Sequence, residues 1–326
     1  MKKILVLMPK GTSSGKPSFE RVQAFIEFYK SQELHVVVKD QPCNFFEKIV
    51  LIKFIYLNKI SNVFISMPQF RNWWLFLLPA VNVILDIRDG WSIAMKSGYG
   101  GNVKPNRLKA FIASCIEKFA IKRAGLTITC TPGLQQYLER ISGKEVVLIL
   151  NSYSKNDENL VSRLQKEVKI EKNKNQIVAI CVGQFSEYGN DKVKVVLRKL
   201  SESYPEKKVL LKLVGSDYEK NKWIEDYLAQ ENIENVRLDI LRRMGRREMY
   251  TQILLSDIGV TIIRDPDYDF GTKVFDYILS GLPVFNYFES SNAFSDFFLT
   301  ENENTLVQNR ANEINKSSSL LIKLLK

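Results

Sequence analysis

The stretch VTIIRDPDYDFGTKVFDYILSGLPVF, residues 260–285, carries the clearest signature of the fold. An apolar strand ends at Ile263, an acidic turn follows, and the sequence Gly271-Thr272-Lys273 opens a helical pattern. A Gly-Leu-Pro triplet then turns the chain back into a second apolar run. Short apolar strands that alternate with helical segments are typical of a parallel sheet covered by helices. The stretch therefore predicts one strand–helix–strand unit of an α/β domain.

The same alternation extends along the whole chain and restarts once. Strands are predicted at residues 3–8, 34–39, 62–66, 82–87, 125–130 and 145–149, and then at 177–182, 208–214, 235–239, 257–263 and 282–286, with helices between them and a helical tail near 311–325. The polar, turn-rich sequence NSYSKNDEN at residues 151–159 separates the two series. We therefore predict an α/β protein of two Rossmann-like, doubly wound parallel-sheet domains facing a cleft, over residues 1–155 and 156–326.

Length and composition exclude several classes of protein. The chain has 326 residues, of which 45% are hydrophobic and 25% charged, as in a globular protein of about two domains. No apolar run is long enough to cross a membrane, and the run that follows Lys2 and Lys3 is too short for a signal peptide. The four cysteines form no C-x-x-C pair, and the single histidine, His35, cannot build a multi-histidine zinc site. We therefore expect a cytoplasmic protein.

The excess of positive over negative charge lies in the first half of the chain. Of the net charge of +11, residues 1–155 carry +12, from 22 basic and 10 acidic side chains, whereas the remaining residues carry −1. Such asymmetry indicates that the first half faces a polyanion or an anionic membrane surface. The basic run LRRMGRRE at residues 241–248 lies in the neutral half and lacks interleaved aromatic residues. We therefore expect no nucleic-acid partner.

Polar side chains also follow two strands of the first half. The sequence NVILDIRDGW places Asp86, Arg88, Asp89 and Trp91 where a buried strand ends. These residues are either a structural Asp–Arg pair or include a cleft carboxylate that orients or deprotonates a sugar hydroxyl. The small-residue loop around Gly11 follows the first strand; it either approaches a phosphate or sugar with its backbone or forms a plain turn.

In the second half, the segment that begins at Gly271 supports two interpretations. The amides of a helix start, with the Thr272 hydroxyl and the Lys273 ammonium, could form a diphosphate site, and Asp276 could accept hydrogen bonds from ribose hydroxyls. The alternative is an ordinary capped helix. The Asp-Pro-Asp sequence at residues 265–267 is interpreted as a solvated turn, so no metal site is predicted.

Several segments match the motifs of one enzyme family, in the same order along the chain. They are DIRDGW (86–91) for "D-x-R-D-x-W", residues 124–131 with 148–153 for "A-D-x-I-x-x-x-S … I-P-N-G", VGQ (182–184) for "V-G-R", LVG (213–215) for "V-G-x-G", and GTKVFDY with SGLPV (271–277 and 280–284) for "P-S-K-x-x-E-Y-x-x-x-G-x-P-V". On these motifs the chain resembles glycosyltransferase family 4, retaining enzymes of the GT-B fold, and in particular the bacterial branch that builds surface polysaccharide.

The resemblance implies a hexosyl- or other glycosyltransferase that moves a sugar from a nucleotide-diphosphate donor, with a UDP-sugar expected, to a glycan or polyprenyl-diphosphate-linked acceptor. It also implies that no metal or cofactor is needed, because helix amides and basic side chains neutralise the diphosphate. The donor-binding residues are then Gly183, Gln184, Arg242, Arg264, Gly271, Thr272, Lys273 and Asp276, with Asp276 on the ribose. The acceptor side is assigned to Gly11, Asp86, Arg88 and Trp91, and Asp89 is the candidate catalytic residue beside the reacting sugar.

The chain departs from the family pattern at cationic positions. Gln184 replaces the usual arginine, Tyr188 or its neighbours replace a lysine, and Tyr268 stands where the first of two glutamates is expected. Candidate replacements for the lost cations are Lys192, Lys194, Arg242, Arg243 and Arg264. Two alternatives therefore stay open: a catalytically degenerate partner subunit and a GT-B-fold nucleotide-sugar epimerase. Since the sequence ends at Lys326, we also expect the family's closing helix to be short or absent.

Two apolar segments of the first half also carry aromatic residues. They are FFEKIVLIKFIYLNK at residues 45–59, which includes lysines, and FRNWWLFLLP at residues 70–79. They either pack against the sheet as core or form an interfacial patch on an anionic inner leaflet. The second interpretation would suit a polyprenyl-linked acceptor and a peripheral location on the inner face of the plasma membrane.

Overall fold

The structure, a computed structural model, describes residues 2–11, 16–67, 71–98, 104–169, 173–183, 185–186, 189–299 and 307–325. The chain divides into two compact units. Unit 1 comprises residues 1–99, 103–151 and 308–326, and unit 2 comprises residues 100–102 and 152–307. Each unit contains one parallel sheet with helices, so the predicted class of two parallel-sheet α/β domains is confirmed. Among the helices described, none is long and apolar enough to span a membrane.

Unit 1 is built on six parallel strands in the order β2-β1-β3-β4-β5-β6. The strands are β1 (Lys3–Met8), β2 (His35–Asp40), β3 (Asn62–Ser66), β4 (Asn82–Ile87), β5 (Leu126–Thr129) and β6 (Val147–Leu148). The helices are α1 (Pro17–Ser31), α2 (Phe45–Leu57), a 3₁₀ helix (Trp73–Leu77), α3 (Trp91–Ser97), α4 (Arg107–Arg123) and α5 (Pro132–Ser142). Helices α2, α4 and α5 pack on one face of the sheet and α1 on the other. Because both faces are covered, the central strands are continuous apolar runs.

The C-terminal residues fold with unit 1, although the sequence assigned them to the second domain. Helices α13 (Arg310–Lys316) and α14 (Ser318–Lys323) bury Ile314 and Leu321 against the face of the sheet that α1 also covers. The α14 end is held by Lys2 Nζ, which donates to the Leu325 carbonyl at 2.7 Å. A closing segment that returns to the first unit is therefore present. The apolar positions of this tail match the α1 face of the sheet, which the strand pattern alone did not reveal.

Unit 2 contains four parallel strands in the order β10-β7-β8-β9. The strands are β7 (Gln176–Val182), β8 (Lys208–Val214), β9 (Val236–Leu241) and β10 (Ile258–Gly259). The helices are α6 (Lys155–Glu167), α7 (Asn190–Ser203), α8 (Tyr218–Asn221), α9 (Trp223–Gln230), α10 (Arg246–Leu254), α11 (Lys273–Leu279) and α12 (Ala293–Phe298). The predicted strands 257–263 and 282–286 are reduced to β10 and to a single bridge between Gly259 and Val284. Farther along, the Ile263 amide donates to a side chain, Tyr287 Oη, at 3.1 Å.

The polar stretch that the sequence indicated as a domain separator contains the start of helix α6. Ser154 and Asp157 form a capping box, in which the Asp157 amide donates to Ser154 Oγ at 3.1 Å and the Ser154 amide donates to Asp157 Oδ2 at 3.3 Å. The same residue types that favour turns satisfy the free amides of a helix N-terminus. The boundary between the two units lies between Asn151 and Ser152.

A buried ion pair joins three parts of unit 1. Arg21 of α1 and Asp86 of β4 are both completely buried and lie 2.8 Å apart. Arg21 Nη1 also donates to the carbonyl oxygens of Ile149 at 2.9 Å and Leu150 at 3.2 Å, and Ser66 Oγ donates to Asp86 Oδ2 at 2.7 Å. A buried charge is costly unless it is paired and hydrogen-bonded, and here both charges are. The pair ties α1, the sheet and the end of the β6 segment together.

We predict that Arg21→Met lowers the free energy of unfolding by about 3–5 kcal/mol, because the carboxylate of Asp86 is left buried without its counter-charge. The matched control is Lys30→Met, which changes an exposed lysine on the same helix and should stay within about 0.5 kcal/mol of the wild type. Urea denaturation of the two variants measures both values. Equal stability of the two variants would contradict this account.

Candidate functional site

The carboxyl edge of the unit 2 sheet brings together several residues of the predicted donor site. Gly183 follows β7 and Gly215 follows β8, with positive φ angles of 101° and 80° that favour glycine. Their amides continue the ladder, from Gly183 to the Val214 carbonyl at 2.8 Å and from Gly215 to the Leu241 carbonyl at 2.9 Å. Ser216 Oγ donates to the Gly183 carbonyl at 2.7 Å, which joins the two loops. Ligands of parallel α/β sheets bind at such edges.

The two arginines predicted for the donor site differ in their exposure and in their partners. Arg242 follows β9 and is exposed to solvent. Arg264 lies beyond β10 and forms an ion pair with Asp269, with 3.3 Å between Nε and Oδ2. Gln184 and Tyr188 lie outside the described residues, so the structure does not bear on their roles.

Asp276 lies in the first turn of α11 within a compact polar cluster. Lys273 Nζ is 3.0 Å from Asp276 Oδ2, and Tyr250 Oη donates to Asp276 Oδ1 at 2.8 Å. Burial and the nearby Asp276 raise the pKa of Tyr250, which keeps its hydroxyl a donor. The Asp276 side chain is only 15% exposed, whereas that of Lys273 is 38% exposed. The cluster thus places a fixed carboxylate beside a more accessible ammonium.

The helix that carries Asp276 is tied to the ends of the strands by its next residue. Tyr277 is completely buried, and its hydroxyl accepts from the Val182 amide at 2.9 Å and donates to the Val260 carbonyl at 3.0 Å. Gly259 leaves the space for this ring, because a Cβ there would lie 2.5 Å from Tyr277 Cδ2. Sequence reasoning did not assign roles to Tyr250 and Tyr277, although the aromatic residue next to Asp276 was visible in the helical pattern.

The turn before α11 is held by internal contacts. Gly271 has a φ of 64°, and its amide donates to Asp269 Oδ1 at 3.0 Å, while Thr272 is the N-cap without a side-chain cap bond. Lys192 of α7 donates from Nζ to the carbonyl oxygens of Ile263, at 2.8 Å, and Arg264. Burial lowers the pKa of Lys192. These bonds fix the loop from which Gly271 and Thr272 emerge.

The Asp-Pro-Asp sequence forms a turn, as predicted, but it is not fully solvated. The Asp265 carbonyl accepts from the Tyr268 and Asp269 amides at 2.9 and 2.7 Å, and Asp267 Oδ1 accepts from the Ala293 amide at 3.3 Å. Burial raises the pKa of Asp265. Within the described ranges, His, Cys, Asp and Glu side chains form no group of three that could hold a metal ion.

The residues assigned to the acceptor side separate into two groups. Asp86 is the interior partner of Arg21, so it serves as a structural pair rather than a cleft carboxylate, and its partner comes from outside the DIRDGW motif. Asp89 and Arg88 are half-buried just beyond β4, and no described residue accepts from Arg88 Nε. Gly11 lies at the same edge, after β1, with a φ of 73°.

A buried glutamate holds the segment that follows Asp89. Glu117 of α4 is completely buried; its Oε1 accepts from the amides of Trp91, at 2.7 Å, and Ser92, at 3.2 Å, and its Oε2 accepts from Ser92 Oγ. Ser92 Oγ also lies 2.6 Å from Tyr137 Oη. Glu117 therefore caps α3 from a neighbouring helix and fixes Trp91. Sequence reasoning missed it because nothing local marks one glutamate of α4 as buried.

We predict that Glu117→Gln gains stability relative to the wild type as the pH rises. Burial raises the pKa of Glu117, with its hydrogen bonds to Ser92 acting in the opposite direction. A carboxyl whose pKa is raised on folding stabilises the fold at low pH and loses that contribution as the pH rises through the folded-state value. Glutamine does not titrate, so the free energy of unfolding of the wild type should fall relative to the variant as the pH rises above the ordinary range of a glutamate.

Urea denaturation at several pH values measures this difference. The control is Glu27→Gln, at an exposed position of α1, which should stay within about 0.5 kcal/mol of the wild type. A pH-independent difference for Glu117→Gln would show that the carboxyl of Glu117 is not perturbed.

Comparison with solved protein structures identifies the fold of the chain. No family model and no curated protein matches the sequence. Solved structures match nearly the whole chain: the sucrose-phosphate synthase (tll1590) of Thermosynechococcus elongatus has a TM-score of 0.60 at 14% identity and covers 100% of this chain and 91% of its own. The Anabaena protein Alr3699/HepE, in complex with UDP-glucose, has a TM-score of 0.51 at 14% identity and covers 99% and 97%. At such identity the similarity is one of fold, and the chain has the two-domain α/β fold called GT-B.

Proposed function

We propose that this chain is a retaining glycosyltransferase that takes a sugar from a nucleotide-diphosphate donor, with a UDP-sugar as the preferred candidate. The observation that carries the proposal is the cluster of Lys273, Asp276 and Tyr250 beside the strand ends of unit 2. A GT-B structure, that of Alr3699/HepE, was solved with UDP-glucose, which supports a donor of this class. The motifs that resemble glycosyltransferase family 4, and its branch of bacterial surface-polysaccharide enzymes, give the same direction.

The proposed donor site combines a carboxylate side chain with glycine backbone at the strand ends. Asp276 is held by Tyr250 and Lys273, so its oxygens are oriented before a ligand arrives and could accept hydrogen bonds from ribose hydroxyls. The glycine backbone at Gly183 and Gly215 allows close approach of a ligand to the strand ends. Hydrogen bonds to a charged group contribute about 1.5–3 kcal/mol each, which is enough to make Asp276 decisive for affinity.

The diphosphate requires positive charge, which Lys273, at the lysine of the family motif, and two arginines at other positions could supply. Lys273 is the accessible ammonium next to Asp276, and Arg264 and Arg242 lie at the same edge of the sheet. Lys192 acts through the loop instead, because its ammonium is bonded to main-chain carbonyls. We assign the neutralisation of the leaving diphosphate to Lys273 and the two arginines, with the loop at Gly271 and Thr272 against the phosphates and no metal ion required.

In a retaining transfer, the new bond forms on the face of the anomeric carbon from which the diphosphate leaves. The bond from that carbon to the diphosphate breaks while the acceptor hydroxyl bonds to the same face, through an oxocarbenium-like transition state, and a donor phosphate oxygen takes the hydroxyl proton. Asp89 of unit 1 is the polar group that we place beside the reacting sugar, with Gly11, Arg88 and Trp91 on the acceptor side. The acceptor is a glycan or a polyprenyl-diphosphate-linked glycan of surface polysaccharide synthesis, in the cytoplasm.

The first test is nucleotide binding by calorimetric titration with UDP, GDP and ADP in the presence of EDTA. We expect one nucleotide to bind the wild type, and Asp276→Asn to weaken that binding at least about tenfold, since it removes a charged acceptor of the ribose. Asparagine retains an oxygen that can accept from Tyr250, so the fold is spared. Asp226→Ala, at an exposed position of α9, is the control and should bind like the wild type.

Each result of that titration has a defined meaning. Binding lost in Asp276→Asn supports the donor site and identifies the base. Equal affinity of wild type and variant would remove Asp276 from the site, and no binding of any nucleotide would contradict the enzyme and favour a degenerate partner subunit.

The second test is turnover. We expect Asp89→Asn to lower kcat by about tenfold to a hundredfold with little change in the KM of the donor, because its effect is on the transition state. Asp40→Asn, at the exposed end of β2, is the matched control and should leave kcat unchanged. Turnover of Asp89→Asn within a few-fold of the wild type would show that the assigned role is wrong, and donor conversion without any acceptor would indicate an epimerase.

A further inference from the structure

Helix α2 of unit 1 is apolar on both sides. Its inner side buries Leu51 and Ile55 against the sheet, as the core interpretation predicts. On its outer side Phe46 is 78% exposed and Leu57 is 82% exposed, with Val50 between them. A helix at a protein surface normally presents polar side chains to the solvent. The exposed apolar side of α2 therefore indicates a binding surface.

Two further helices on the same face of the sheet also expose apolar residues. On α4, Leu108 and Phe111 are 69% and 67% exposed. The 3₁₀ helix lies beside both helices and exposes Leu77 in the same layer: Tyr56 Oη donates to the Pro79 carbonyl at 3.2 Å, and the Trp73 and Phe119 rings lie 6.4 Å apart. Residue 70 of the segment singled out in the sequence lies outside the described residues. We call the exposed apolar residues of these three helices the α2–α4 surface: Phe45, Phe46, Val50, Leu57, Trp73, Leu77, Leu108, Phe111 and Ile112.

The charged residues of helices α2 and α4 are mostly positive. Helices α2 and α4 carry seven basic residues: Lys48, Lys53, Arg107, Lys109, Lys118, Lys122 and Arg123. They carry two acidic residues, of which Glu117 is buried and Glu47 is paired with Lys10 at 2.8 Å. These two helices therefore supply many cations and no exposed carboxylate that is without a basic partner.

This combination distinguishes between kinds of partner. The core of a protein–protein interface is depleted of lysine, and a partner protein would have to supply acidic groups around an apolar centre. An anionic bilayer satisfies both features at once, because aromatic and aliphatic side chains enter the headgroup boundary while lysines remain at the negatively charged surface. The charge complementarity thus favours a lipid surface.

We propose that unit 1 binds the surface of anionic lipid bilayers through the α2–α4 surface. The binding does not depend on nucleotide, so it is independent of the donor site in unit 2. Membrane binding would bring the proposed transferase to an acceptor that is anchored in lipid. In that respect the proposal rests on the proposed function and extends it.

The test is sedimentation of the full chain with vesicles, in the absence of nucleotide. The wild type should bind vesicles that contain phosphatidylglycerol and bind phosphatidylcholine vesicles at least about tenfold more weakly. The variant Phe46→Ser/Leu57→Ser/Phe111→Ser should bind the anionic vesicles at least about tenfold more weakly than the wild type. The control is Tyr218→Ser, which removes a half-exposed aromatic of unit 2 and should bind like the wild type.

A charge variant separates the electrostatic part and covers the case in which the triple serine variant does not fold. Lys53→Gln/Lys109→Gln/Lys118→Gln should lose most of its binding to anionic vesicles. Wild-type binding that either folded variant retains would overturn the proposal. So would a wild-type dimer that ignores vesicles and dissociates in the triple serine variant, because a second copy would then cover the surface.

A thiol label reports the location directly. Cys115 of α4 is exposed, whereas Cys130 and Cys181 are buried and burial raises the pKa of each to about 12, so these two should resist labelling. In a Cys43→Ser background, an environment-sensitive dye on Cys115 should shift to the blue on addition of anionic vesicles. An unchanged emission spectrum on vesicles that carry the protein would show that another surface is bound.

Discussion

The buried guanidinium of Arg21 is the constraint around which unit 1 is organised. It contacts a carboxylate on the central strand β4 and the carbonyls of Ile149 and Leu150. These two residues lie just before the boundary between unit 1 and unit 2. Removing a guanidinium from water costs several kcal/mol, and only a nearly complete set of acceptors offsets that cost. The position of α1, the register of β4 and the path of the linker are therefore coupled, and a change in one leaves a charge unsatisfied in the others.

Much of the fold could be predicted from the sequence because buried parallel strands are visible as apolar runs. The six strands of unit 1 and three of those in unit 2 lie close to the predicted positions. Two of the differences involve a side chain that bonds to the backbone: beyond the short β10 the Ile263 amide donates to Tyr287 Oη, and Ser154 caps a helix inside a stretch with turn-forming composition. Such exchanges depend on residues far apart in sequence, which local patterns do not encode.

The candidate site shows the same limit. The position of Asp276 at a helix start could be inferred from its spacing, whereas its partner Tyr250 lies 26 residues away, on another helix. For Asp86, the motif indicated either a cleft residue or a structural pair. The structure shows a structural pair, and the partner is Arg21, 65 residues earlier in the sequence. Acidic residues at strand ends are used both for structure and for ligands, and only the partner distinguishes the two uses.

The return of α13 and α14 to unit 1 has a consequence for biosynthesis. Lys2 and Leu325, separated by 323 positions, share a hydrogen bond, and Ile314 and Leu321 complete one face of the first sheet. During translation α13 and α14 are made only after the whole of unit 2, whose synthesis at about 5–20 residues per second takes roughly ten to thirty seconds. Until then the part of the α1-side face that Ile314 and Leu321 cover stays exposed, and nascent chains present it to chaperones.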